Sequence, residues 1–173
     1  MELPKDLEPE TPLWRYALSI WRQPDVREAC LALQGEGWSV TRIVCAGWHA
    51  TRHQPYTGDE PATVTEWRAR VTGPLRAIRQ ALPKQASACQ TLREGVASAE
   101  LAAEQVELAL AWHAFMNTTQ AEADMPGSET LIHSNLAAAA PDAQAANTSQ
   151  ALLRQLANAL APTTASGAAS PCS

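Results

Sequence analysis

ACQTLREGVASAELAAEQVELALAWHAF, residues 88–115, is the stretch that decides the fold. Cys89, Leu92, Val96, Ala99, Ala103, Val106 and Leu110 recur three and four apart, the spacing of a heptad-like seam on an α-helix. Leu101, Leu108 and Phe115 add a second apolar stripe. At about 1.5 Å per residue this helix is roughly 40 Å long. Its most regular neighbour begins at Ser39, carries Val40, Ile43, Val44, Gly47 and Trp48 on one face, and is only roughly 20 Å long. Short neighbours leave the far end of the long helix uncovered. The tail, a second copy or a partner is expected to cover it.

Upstream the same periodicity recurs. Thr11-Pro12 reads as an N-cap and first helical residue, followed by Trp14, Leu18 and Trp21 on one face. Pro24 restarts the helix, because proline pushes the preceding Gln23 out of the helical region. Val26, Ala29, Cys30 and Leu33 form its buried stripe, and Gly35 and Gly37 end it. Gly47, inside the third helix, costs about 1 kcal/mol against Ala, which a close helix approach would justify. Residues 51–61 read as a loop. Thr63 with Glu66 reads as a capping box for a fourth helix, whose stripe is Trp67, Val71, Leu75, Ile78 and Leu82. Gly73-Pro74 is expected to kink or split that helix.

Downstream the composition changes to Ala, Thr, Ser, Gln and Asn, with a single Leu patch at 152, 153, 156 and 160. Such a composition buries too little to offset its ordering entropy. The expectation is therefore an all-α fold: one compact domain of about five helices, the long one last, followed by an Ala-rich flexible tail. The boundaries are a flexible acidic N-terminus over 1–11, the helical domain over 12–116 and a mostly disordered tail over 117–173. Trp14, Trp21, Val44, Trp48, Trp67, Leu75 and Ile78 are expected in one core.

The 173 residues suit a single domain, and the formal charge of −5 disfavours non-specific nucleic-acid binding. No apolar run reaches the length of a membrane span, and the acidic N-terminus lacks the pattern of a secretory signal. Cys30, Cys45, Cys89 and Cys172 have no CxxC spacing. Reduced thiols in a cytoplasm are expected.

No specific catalytic motif is present, so catalytic residues stay unassigned. His49 and His53 are four apart but lack a third ligand, so they read as solvent-facing and no metal is expected. His113 reads as a buried core histidine. Arg68, Arg76 and Arg79 share one broad helix face, suited to carboxylate or phosphate. Ion pairing to Glu94, Glu100 and Glu104, or plain solvation, is the bland reading of that face. Gln34 is an expected partner for a buried indole N–H.

Leu13-Trp14, Pro24-Asp25-Val26, Cys30-Leu31-Ala32-Leu33-Gln34, Gly37, Trp48, Trp67-Arg68, the run from Pro74-Leu75-Arg76 to Arg79, and Glu100-Leu101-Ala102-Ala103-Glu104 resemble a family of small uncharacterised proteobacterial proteins. Thr41 stands where that family usually has Asn. The resemblance implies a cytoplasmic bacterial protein of unassigned function, with Gln34, Trp67, Arg68, Arg76 and Arg79 at its motif positions.

The leading expectation is a non-enzymatic protein-interaction module. It would meet an unknown protein partner, or a second copy, through Ala103, Val106 and Leu110 of the long helix. The alternative is an enzyme or small-ligand protein in which Arg68, Arg76 and Arg79 hold an anion near Gln34 and Trp67. No cofactor, membrane or nucleic-acid partner is expected.

Overall fold

The structure, a computed structural model, describes residues 2–117 and 128–161. Among these residues every regular element is helical. Thr11 caps α1 (Pro12–Trp21), its hydroxyl accepting the Trp14 N–H at 3.0 Å. Gln23 is extended, and α2 (Pro24–Gly35) starts immediately after it. Gly37 takes a φ of 92°, a left-handed turn that favours glycine, and Ser39 caps α3 (Val40–Thr51). A Cβ on Gly47 would lie 2.5 Å from the Tyr16 hydroxyl. The glycine thus lets α1 close on α3.

α4 (Ala62–Trp67) begins behind Pro61 without a side-chain cap, so Thr63 is inside the helix rather than at its cap. Pro74 lacks an N–H and its ring would clash with a carbonyl one turn back. The chain answers with a π-helical stretch, Arg68–Thr72, before α5 (Gly73–Ala81). The Gly73 N–H donates five residues back to the Arg68 carbonyl. A Cβ at Gly73 would be 2.9 Å from that oxygen.

A short 3-10 turn, Ser87–Cys89, leads into the long helix α6 (Gln90–Asn117). Three further helices follow among the described residues: α7 (Ser128–Ala138), α8 (Ala143–Thr148) and α9 (Gln150–Leu160).

These last helices move the expected boundary at 116. Leu131, Ile132, Leu136, Leu153 and Leu156 are buried, most of them in the same core as Leu13, Val26, Leu33, Ile43 and Val44. α7 packs mainly on α3, and α9 mainly on α2. Alanine explains why so few large residues suffice. Small side chains let helix axes approach closely, so each Leu fills a shallow gap. The expected flexibility of 118–127 and 162–173, and the expected thiol at Cys172, fall outside the described residues. In the N-terminal segment, Glu10 accepts a hydrogen bond from the Gln105 amide at 2.8 Å.

Two other expectations are corrected. α5 carries no buried residue; Leu75 and Trp67 are half-buried and Ile78 is 50% exposed. The α5–α6 contact is built from arginines and glutamates, so the apolar stripe of α5 never reaches the core. The far end of α6 is also not an open strip. Ala103 and Leu110 are buried, and Val106 is half-buried. α1, α3, α4 and the π-helical stretch cover that end between them.

Candidate functional site

The arginine face is a ladder of ion pairs. Trp67 anchors it, its indole N–H donating to the Ala103 carbonyl at 2.9 Å. The small side chain at 103 leaves room for the ring. The π-helical turn sends Arg68 between two carboxylates. Its terminal nitrogens donate to Glu60 at 2.7 and 2.6 Å, and its Nε to Glu107 at 2.7 Å. Arg76 donates to Glu100 at 3.0 Å and Glu104 at 2.6 Å. Arg79 donates twice to Glu100, one bond being 3.1 Å. Arg93 closes the C-terminal end of α5, donating to the Arg79 and Leu82 carbonyls at 2.8 and 2.6 Å.

Glu100 and Glu107 are buried despite their charge, which is tolerable only because each is paired. Burial alone would lower the Arg68 pKa. The hydrogen bonds and charges of Glu60 and Glu107 outweigh it and raise the value. Burial pushes Glu100 up, but Arg79 and Arg76 pull harder and hold its carboxyl below the ordinary range. Glu104 is held above that range, burial outweighing its pairing with Arg76. Among the described residues Glu94 takes no arginine; it accepts a hydrogen bond from Gln90 at 2.6 Å.

Gln34 lies in a groove of about 260 Å³ between α1, α2, α3, α5 and α6. Trp14, Val44 and Leu108 are in its wall, with Arg79, Glu100 and Glu104 at one edge. Leu18, Leu31 and Leu101 form its lips, 43%, 50% and 53% exposed. Among the described residues Gln34 bonds no indole; the Trp38 and Trp48 N–H groups are buried without a partner.

A second hollow, of about 590 Å³, opens between the end of α3, the loop at 54–61 and the end of α6. Sequence reasoning passed over it. Trp48 and His49 come from α3, Tyr56, Asp59 and Glu60 from the loop, and Phe115 from α6. The His49 ring is packed 5.3 Å from Tyr56 and 5.1 Å from Phe115, centroid to centroid. Burial lowers the His49 pKa and pushes the Cys45 thiol up to about 12, so neither is a charged reagent near neutrality. His53 is exposed with a φ of 53°. Among the described residues no group of three or more His, Cys, Asp or Glu is placed to hold a metal ion. His113 is not in the core; its side chain is 36% exposed, with Nε2 3.7 Å from Asp6.

The loop is held by one buried amide. Asn135 of α7 donates to the Ala46 and Gln54 carbonyls at 3.3 and 2.9 Å and accepts the Tyr56 N–H at 2.9 Å. Nearby, Arg42 donates to the Ala138 carbonyl at 2.9 Å. Gly58, at φ 82°, passes so close that a Cβ would sit 2.3 Å from that carbonyl.

Compared with known proteins, the chain matches no curated protein and no solved structure. One family, described as "Protein of unknown function (DUF2390)", matches over residues 12–110, from the start of α1 to the buried part of α6. The match covers more than half of the 173 residues, and the chain belongs to this family.

Proposed function

We propose that the chain is a non-enzymatic protein-interaction module, and that the Leu-lipped groove receives an amphipathic helix of a partner protein. The observation that carries this reading is the groove rim. Three leucines on three different helices stand about half in water around one depression. Such a cluster matches the spaced anchors of a helix laid in a groove, and its burial favours binding by roughly 25 cal/mol per Å². The groove also gathers residues from four of the strings on which the family resemblance rests: Trp14, Leu31 with Gln34, Arg79, and Glu100 to Glu104.

The partner helix is acidic in this reading. Arg15 and Arg22 flank Leu18 one turn either side, and Arg27 lies one turn before Leu31; all three are exposed and outnumber the exposed acids beside them, Asp25 and Glu28. An anionic small ligand on Arg68, Arg76 and Arg79 is the weaker reading. Those forks already hold Glu60, Glu100, Glu104 and Glu107. The proposal places the module in the cytoplasm, supported by free thiols at Cys30, Cys45 and Cys89. Among the described residues no helix is long and apolar enough to cross a membrane.

The test uses two synthetic helical peptides with Leu at i, i+4 and i+7 and either Glu or Lys elsewhere, titrated against the full chain while Trp emission is followed. The Glu peptide should bind, and Leu101→Glu should abolish binding with the helical circular dichroism unchanged. Equal binding of the Lys peptide, or none by either, overturns the proposal. Concentration-dependent dimerisation lost in Leu101→Glu would make a second copy the occupant instead.

A further inference from the structure

The hollow beside the 54–61 loop has the size, wall and charge of a small-molecule site. Its volume of about 590 Å³ is within the range of roughly 300–1,000 Å³ typical of ligand cavities. Its wall is mainly apolar and aromatic, with Trp48, Tyr56 and Phe115 contributing rings. It is also preformed. A surface loop of this length would ordinarily be mobile, yet Asn135 pins it at Gln54 and Tyr56, and Gly58 lets it lie against α7. A wall held this way needs little reorganisation on binding.

Arg52 holds its guanidinium 5.9 Å from the Trp48 ring, but the charged side chains that line the hollow itself are of one sign. Among the described residues lining the hollow there is no Lys or Arg, but there are two carboxylates, Asp59 and Glu60. Glu60 is occupied by the two-pronged grip of Arg68, which it shares with Glu107. Asp59 is exposed, and its carboxylate has no hydrogen-bond or ion-pair partner among the described residues. His49 adds no positive charge near neutrality, because burial keeps its imidazole neutral.

We propose that this cavity binds a small apolar amine, with the skeleton against the rings of Tyr56 and Phe115 and the ammonium at Asp59. The ring quadrupoles add attraction for a cation lying over them. An anionic ligand would meet the unpaired Asp59 carboxylate at the entrance, and a purely neutral one would leave Asp59 unused. This site shares no lining residue with the helix-binding groove.

The experiment compares three probes that share a phenyl ring and differ in charge: 2-phenylethylamine, 2-phenylethanol and phenylacetate. Each is titrated into the full chain and followed by the indole N–H resonances. The amine should bind at least about tenfold more tightly than the alcohol, and phenylacetate more weakly than either; a tenfold ratio corresponds to about 1.4 kcal/mol. Asp59→Asn, an exposed substitution outside the core, should erase the preference for the amine and leave the alcohol unchanged. Ala111→Phe, which fills the floor, should weaken all three. Should Ala111→Phe unfold the chain, the Asp59→Asn comparison decides alone. The proposal is overturned if no probe shifts the Trp48 resonance, if the three bind equally, or if Asp59→Asn keeps the amine preference.

Discussion

The α5–α6 contact and the α2–α9 contact are built from opposite materials. Between α5 and α6, Arg76 and Arg79 meet the buried Glu100 and the half-buried Glu104, and no residue of α5 is fully buried. Between α2 and α9, Leu153, Leu156 and Ala157 meet Val26, Cys30 and Leu33 in an apolar core. The charged contact is highly directional, since each planar fork fixes where its carboxylates must lie, and its net worth is reduced by desolvation. The apolar contact is non-directional but is carried by surface removed from water. The first therefore sets how α5 sits on α6, while the second holds the molecule together.

The strongest way to break this comparison is to remove the apolar side. A chain ending at Asn117 loses Leu136, Leu153 and Leu156 from the core, and should lose cooperative unfolding altogether in a urea melt. Leu153→Ala alone should cost about 2–5 kcal/mol. A stable, cooperative 1–117 fragment would show that the last helices are decoration.

On the charged side, Glu107→Ala leaves Arg68 with only Glu60 and should cost about 3 kcal/mol by chemical denaturation, the low end for breaking a buried pair. Glu66→Ala, which removes the exposed Arg70 partner at 3.1 Å, should change stability by no more than about 0.5 kcal/mol. Equal losses from the two would mean that burial does not distinguish them.

The smallest effect is in pH. Arg79 and Arg76 lower the Glu100 pKa in the folded chain, so folding favours its ionised form. Its stabilisation is complete above the ordinary carboxylate pKa of about 4.3 and is lost as pH falls through the lower folded value. Glu104, raised by burial, works in the opposite sense. Glu100→Gln should therefore lower the urea midpoint at pH 7 and flatten its fall between pH 5 and 3 at about that pKa range. An unchanged acid limb would place the sensitivity elsewhere.

Parts of this were legible in the sequence for identifiable reasons. The third helix and Gly47 were, because a helix with one apolar face and one interior glycine has few ways to pack. Pairing of the arginines with Glu100 and Glu104 was legible as one of two bland readings, since consecutive helices bring their faces together. Glu60 and Glu107 were missed, because the π-helical turn rotates Arg68 away from the spacing of an α-helix. The packing of α7 was hidden, because its alanines carry little periodicity and its most consequential residue is a buried amide, Asn135. The hollow was invisible for the same reason. Its wall depends on a residue about eighty positions away from the loop that it holds.

The packing of α9 against α2 joins segments at opposite ends of the chain. On a ribosome, chains grow at about 5–20 residues per second, so α2 and α3 emerge several seconds before the helices that shelter them. During that interval Val26, Leu33 and Ile43 are open to water and to other nascent chains. The matched family region, 12–110, thus stops short of α7 and α9, the helices that α3 and α2 pack against. Its yield in the cell should depend on how long translation pauses before residue 160 is made.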